Sequence, residues 1–354
     1  MAQKVRIKDI AEKAGVSVGT VDRILHQRPN VSKSAREKVE RVLKEIKYRP
    51  NMYASALAYN KSYTFHLIIP KHEQEAYWEE IEEGAIKACD VRRDFHINVI
   101  ISYYERFNDQ SFKKTCQEIL DSNPNGVILV PSELEITQPF TNELHGKDIP
   151  FILLDSFIPE LTPLSFYGQD SFASGYFAAK MLMLIANNEK EIMLMRQTNN
   201  GKLSSRQQKN REVGFKHYMR QYFPDVSISE IDLPLEKERD SYDVIMDEFF
   251  TSHPMIHHGI TMGSRAYLVG EYLLRHHLQG IQIMGYDMVA KNARCLQEGS
   301  ISFLIAQHAF MQGFSCVDAL FKSIVLKQEL EPINYMPIEL LSKENVRFYR
   351  RRQL

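Results

Sequence analysis

The sequence predicts an α/β protein built as an N-terminal all-α helix-turn-helix head followed by two doubly wound parallel-sheet subdomains. Three observations carry that prediction. The first sixty residues show helical periodicity broken by a glycine. From residue 61 onward, short apolar runs alternate with helical stretches. The charge is also divided: residues 1–60 hold 13 Lys+Arg against 6 Asp+Glu, while 61–354 hold 31 against 39. A basic head on an acidic body suits one small part that binds phosphates and a larger part that does not.

The head divides into three helices. Ile7, Ile10, Ala11 and Ala14 recur at i, i+3, i+4 and i+7, one face of a first helix. Gly15 follows where a helix-ending residue at positive φ is cheapest as glycine. Ser17 can cap a second helix, whose apolar face is Val21, Ile24 and Leu25. Ser32 precedes a third helix with Val39, Val42, Leu43 and Ile46 on one side. Pro50 ends it. Two helices joined by a short glycine turn make a helix-turn-helix, whose second helix enters the major groove of DNA. The segment 51–60 is too short to be a stable helix alone, and is expected to order only with support.

In the body, Phe65–Pro70, Ile97–Ser102, Gly126–Val130 and Phe151–Asp155 read as strands, separated by helices such as Glu79–Asp90 and Gln110–Ser122. A second set comprises Leu164–Tyr167, Ile192–Met195, Val226–Leu233, Gly259–Met262 and Ile281–Gly285. Such alternation implies parallel sheets covered on both faces, with a small ligand at the strand carboxyl ends. The expected division is a head over 1–50, a hinge over 51–60 and an effector domain over 61–354. Within that domain, one subdomain is expected over about 61–160 plus 290–320, the other over 161–289 plus 321–354.

Other classes are disfavoured. There is no twenty-residue apolar run and no apolar N-terminal signal segment, so a cytoplasmic protein without membrane contact is expected. The four cysteines are far apart, the histidines show no metal spacing, and neither a catalytic triad order nor a Gly-rich phosphate loop occurs. No cofactor, no metal and no enzymatic activity are expected.

Residues 5–59 resemble the head and hinge of the lactose-repressor (LacI/GalR) family of bacterial transcription factors. The supporting strings are Ile7-Lys-Asp-Ile-Ala, Ala14-Gly-Val-Ser, Thr20-Val, Arg23-Ile-Leu, Val31-Ser and Tyr48-Arg-Pro-Asn, with Ala54 and Leu57 spaced behind. The resemblance implies that Val18, Gly19 and Arg23 lie where bases are read. Arg23 suits a bidentate contact to guanine, and Val18 suits a thymine methyl. Ser17, Thr20 and Ser32 fall at phosphate-contacting places. His26, Asn51 and Ala54 complete the DNA-binding set with Leu57, which matches the leucine that wedges between base steps in the minor groove. Asp22 stands where the family usually has serine, and Ala35 where it has threonine. Asp22 could orient Arg23, accept from a cytosine amine or face solvent.

The body is similar to the same family and to periplasmic sugar-binding proteins through Ala76-Tyr-Trp-Glu-Glu-Ile, Asp155, Gly168–Gly175, Arg211-Glu-Val-Gly-Phe, Met284-Gly-Tyr-Asp and Ile305-Ala-Gln. That resemblance implies a periplasmic-binding-protein-like effector domain. Tyr77 and Trp78 match the family's stacking pair. Asp155, Arg211, Asp287 and Gln307 match its polar ligands, with Ser132 a weaker candidate. Ser264 and Arg265 stand where many relatives carry Asn-Asp. An arginine facing the cleft there would favour an acidic effector, whereas one pointing outward would be neutral to it. The implied function is a DNA-binding transcriptional regulator, a repressor by preference, controlled by a sugar, sugar acid or sugar phosphate. Activation or corepression within the same family is the alternative, and a sugar-binding module without a regulatory role a distant one. One helix-turn-helix covers a half-site, so a homodimer is expected. The C-terminal Arg347-Phe-Tyr-Arg-Arg-Arg carries no leucine heptad for a tetramer.

Overall fold

A computed structural model describes residues 7–25, 29–46, 61–72, 76–186, 188–235 and 239–349. The chain separates into two compact units, 1–60 and 61–354, each taken by itself. In the first unit, α1 (Ile7–Ala14), α2 (Val18–Leu25) and α3 (Lys33–Glu45) enclose a small core of Ile10, Ala11, Ala14, Val21, Ile24, Val39 and Val42. Gly15 turns the chain at φ +64°, with open space where a Cβ would stand, so conformation and not crowding demands glycine. The Ser17 Oγ accepts from the Thr20 amide at 3.1 Å, and the Ser32 Oγ from the Ala35 amide at 3.3 Å. Each satisfies a helix-start donor that would otherwise be orphaned. The expected hinge at 51–60, with Asn51, Ala54 and Leu57, and also His26, lie outside the described residues.

In the second unit the strands are β1 (Tyr63–Pro70), β2 (Ile97–Tyr104), β3 (Gly126–Leu129), β4 (Phe151–Leu154), β5 (Ser165–Gly168), β6 (Glu191–Asn199), β7 (Lys202–Leu203), β8 (Ser227–Pro234), β9 (His258–Thr261), β10 (Gln282–Tyr286), β11 (Phe303–Ala306), β12 (Ile333–Tyr335) and β13 (Glu339–Leu341). The first sheet runs β12-β5-β4-β3-β1-β2, every pair parallel. The second runs β13-β11-β10-β9-β6, with β8 parallel to β6 and only β7 and β13 antiparallel. Their central strands β3 and β4 are buried throughout and β9 is buried after half-buried His258, the pattern of sheets covered on both faces.

The helices nearest the functional site include α4 (Tyr77–Val91), α7 (Ser171–Ile185), α8 (Arg206–Tyr222), α11 (Ala290–Glu298) and α12 (Ala309–Leu320), where α5 and α6 are Asp109–Ser122 and Leu134–Gly146 and α9 and α10 are Arg239–Ser252 and Tyr267–Arg275. α7 packs so closely on α8 that a Cβ on Gly175 would lie 1.9 Å from the Arg211 carbonyl oxygen. Glycine there sets the depth at which Arg211 is held.

Strand pairing divides the body differently from the sequence expectation. β5 belongs to the first sheet, although the sequence pattern groups Leu164–Tyr167 with the second half. β11 belongs to the second sheet, although the pattern groups 290–320 with the first, and β12 returns to the first. The helix α12 packs on α4, with the Gly313 Cα held against the Ile81 carbonyl. The chain therefore passes between sheets three times: near 169, at 307–308 and at 336–338. An apolar strand pattern signals burial but not which sheet supplies the hydrogen-bonding neighbour, so this division is a tertiary outcome. The Gln169 side chain spans the three passages. Its Nε2 donates to the Ala306 carbonyl at 3.1 Å and the Pro337 carbonyl at 2.8 Å, and its Oε1 accepts from Ser174 at 2.8 Å.

Candidate functional site

The head presents one exposed face at the start of α2. Ser17, Val18, Gly19 and Arg23 are exposed and Thr20 is half-buried, whereas Val21 and Ile24 turn into the core. Val18 is 48% exposed, unusual for a valine on a helix whose other apolar residues pack, and it stands in the first turn, the part that faces base edges in this motif. The Ser17 and Thr20 hydroxyls lie 2.9 Å apart. Ser32 is exposed at the start of α3. The residues expected to read DNA, insofar as they are described, therefore share solvent access on short helices whose opposite faces build the core.

The body carries a cleft of about 590 Å³ lined from both sheets. Tyr77, Trp78, Asp155, Arg211, Ser264, Arg265, Asp287 and Gln307 all line it. Ser132 does not. It stands beyond the end of β3, half-buried where the chain turns toward α6, so the strand-end position does not carry it into the wall.

Two aspartates end central strands of the two sheets in the same manner. Asp155 follows β4 at φ 66° and Asp287 follows β10 at φ 71°. Each amide is held by the neighbouring strand, Asp155 N–H to the Tyr167 carbonyl and Asp287 N–H to the Ile305 carbonyl, both at 2.9 Å. This is strained backbone for a non-glycine residue, and such strain clusters at binding sites. The Tyr77 hydroxyl donates to Asp155 Oδ1 at 2.9 Å and accepts from Gln312 Nε2 at 3.0 Å. Tyr77 is thus a buried orienting group, and its hydroxyl, not an open ring face, serves the site. Trp78 packs edge-on against it, with centroids 5.0 Å apart.

Across the cleft, Gln307 Nε2 donates to both carboxylate oxygens of Asp287, at 2.8 and 3.0 Å. Its Oε1 accepts from Arg211 Nη2, while Arg211 Nη1 donates to the Met262 carbonyl at 2.9 Å. The Arg211 guanidinium lies 4.0 Å from the Tyr286 ring centroid, a cation–π contact. Burial pushes the Asp287 carboxyl up to about 7, opposed by Arg211 and by the Gln307 bond. Burial also raises Asp155, opposed by the Tyr77 bond and Arg211. Two buried donors in this wall, Arg211 Nε and Gln197 Nε2, have no partner among the described residues.

Several contributors lie outside the residues the sequence pattern singles out. Arg106 follows β2 and crosses the cleft, its Nη2 donating to the Ser204 carbonyl at 2.9 Å. Gln208 fixes β6 by bonding both the amide and the carbonyl of Gln197, at 2.9 and 2.7 Å. Gln207 donates to the Asp155 carbonyl. Fully buried Asn292 ties the Ser264, Tyr286 and Asp287 carbonyls together at 2.9 to 3.0 Å. Two sequence signals point to members of this group: Arg106 lies just beyond a strand's carboxyl end, and Gln207 lies four residues before Arg211 on one helix face.

A three-helix head with an exposed recognition helix and a two-sheet body with a polar cleft define a DNA-binding regulator with a periplasmic-binding-protein-like body. Comparison with known proteins agrees. The model for bacterial regulatory proteins of the lacI family matches residues 6–51, and that for a periplasmic binding protein domain matches 66–328. A solved structure named as a LacI transcriptional regulator from Bacteroides fragilis is 40% identical, covering 82% of this chain and all of that one, with a TM-score of 0.79. The ribose operon repressor of Lactococcus lactis is 25% identical over 96% of this chain and 98% of its own. An arabinose-bound transporter solute-binding protein from Burkholderia graminis, 14% identical, shares the body's fold, covering 82% of this chain and 98% of that one with a TM-score of 0.72. The chain belongs to the LacI family of bacterial regulatory proteins, which are transcriptional regulators and not enzymes. Among the described residues, no helix is long and apolar enough to cross a membrane.

Proposed function

We propose that this regulator is a cytoplasmic, homodimeric repressor whose operator binding is set by a small sugar-type effector in the cleft. Residues 1–50 act as the head, 51–60 as the hinge and 61–354 as the effector domain. The contacting residues on DNA are Ser17, Val18, Gly19, Thr20, Arg23, His26, Ser32, Asn51, Ala54 and Leu57. The observation that carries the effector reading is the cleft's hydrogen-bonding inventory. The buried carboxylates of Asp155 and Asp287 can accept, and the unpartnered Arg211 Nε and Gln197 Nε2 can donate. A ring of hydroxyls both donates and accepts, and so satisfies both sets. Buried donors without acceptors cost about 1–3 kcal/mol each, so a ligand that supplies acceptors recovers that energy.

The two walls belong to different sheets, and Gln307 lies in a passage between them, next to the carbonyl that Gln169 holds. A ligand that bonds both walls favours their closure, and it shifts DNA binding only to the extent that it prefers one body state. The test couples two measurements. A panel of pentoses, hexoses and their acids is screened by thermal shift, and each hit is titrated into a complex with palindromic DNA selected in vitro. A ligand that raises the melting temperature should also lower operator affinity. Raised operator affinity would make the ligand a corepressor, and an unchanged affinity for every hit would sink the effector reading.

A further inference from the structure

The cleft is more cationic than a neutral sugar requires. Five of its lining residues are basic, Lys71, Arg106, Arg211, Arg265 and Lys291, against the two acids Asp155 and Asp287. One of the five is paired with a carboxylate, and three are held by neutral groups. Lys71 pairs with Glu105 at 2.9 Å, Lys291 lies over the Tyr267 ring at 5.0 Å, and Arg211 is held by Gln307 and Met262. Arg106 lies over the Phe107 ring at 5.1 Å and donates to the neutral Ser204 carbonyl, and among the described residues neither it nor Arg265 forms an ion pair with a carboxylate.

These two arginines stand on opposite walls. Arg106 follows β2 of the first sheet, and Arg265 follows β9 of the second, both just beyond strand carboxyl ends. Arg106 is exposed as a residue but reaches into the cleft, where Nη2 meets the Ser204 carbonyl of the second half. Both arginines line the one cleft; burial lowers the Arg106 pKa, Tyr104 opposes that lowering and the Arg265 charge adds to it. Asp155 compensates only in part. Two like charges on separate walls oppose closure until something neutralises them.

Resting on the effector reading, we infer that Arg106 and Arg265 form a two-walled clamp for an oxyanion on the effector, so that the ligand is an acidic sugar derivative. Guanidinium groups bind carboxylate and phosphate through paired N–H donors, and such charge-assisted bonds are roughly twice as strong as neutral ones. The anion would convert a repulsion between the walls into a bridge. Binding and closure are then one event, and a neutral sugar, lacking the anion, leaves the repulsion in place. A uronic acid and a sugar phosphate share this chemistry.

The test uses the full-length protein and calorimetry with matched probes: D-glucose against D-glucuronate and D-glucose 6-phosphate, D-galactose against D-galacturonate, and D-ribose against D-ribose 5-phosphate. At least one acid should bind at least thirtyfold tighter than its parent, and raising the salt from 50 to 500 mM should weaken it. Which acid wins separates carboxylate from phosphate. In Arg106→Gln and in Arg265→Gln, the acid-to-neutral affinity ratio should collapse toward one. A tight neutral sugar with no acid advantage leaves the effector reading standing and removes the clamp. An acid advantage that survives both substitutions also removes it. Failure of every probe to bind would sink the clamp together with the effector reading.

Discussion

The head and the body hold their functional side chains in opposite ways. On α2 the candidate DNA contacts are exposed, and the local helix alone orients them: Val18, Gly19 and Arg23 need only the Ser17 cap and the Val21 and Ile24 anchor beneath. In the cleft, Asp155, Arg211, Asp287 and Gln307 are each at most 7% exposed, and each is held by residues distant in sequence. A surface that reads DNA can trade one side chain for another at little structural cost. A buried polar site cannot, because every group there is both a ligand contact and another group's hydrogen-bond partner.

The largest effect expected from that difference is at Gln307. Gln307→Ala would leave the Asp287 carboxylate and an Arg211 N–H unpaired in the interior, and should lower unfolding stability by about 2–4 kcal/mol, read from the urea midpoint. Val18→Ala on the head should stay within about 0.5 kcal/mol in the same assay. Equal losses would break the contrast.

Next in size is the reading of DNA itself. Arg23→Ala should cost roughly 1–3 kcal/mol on the selected operator and much less on random DNA, measured by fluorescence anisotropy. A uniform loss on both would mean that Arg23 meets phosphate rather than a base edge. Melting of the body should not register this change, since the side chain is exposed.

The last test is a pH dependence. Burial raises Asp287 from its ordinary 3.8 to about 7, so the folded body keeps a proton that the unfolded chain has released. The stability contributed by this group is full below about pH 4 and is lost as the pH rises to about 7, with a slope of at most about 1.4 kcal/mol per unit. Asp287→Asn should flatten that part of the stability curve. A slope unchanged by the substitution would place the titration elsewhere.

The head is legible in the sequence because its information is local. The spacing of Ile7, Ile10, Ala11 and Ala14, the glycine at 15 and the caps at Ser17 and Ser32 lie within a few residues of what they control, and helix geometry converts spacing directly into faces. The alternation of strands and helices in the body is legible for the same reason, whereas Asp155, Arg211, Arg265, Asp287 and Gln307 are singled out by the resemblance to the family and not by periodicity. Three features depend instead on long-range packing. One is the sheet each strand joins, since β5 and β11 look alike in apolar pattern and differ only in the neighbour that accepts their hydrogen bonds. Another is that Tyr77 orients Asp155 with its hydroxyl while Ser132 does not line the cleft. The third is that Arg106 and Arg265, about 160 positions apart in sequence, line one cleft. No periodicity encodes such a pair, because the interaction depends on distance through space, and only the packed sheets set that distance.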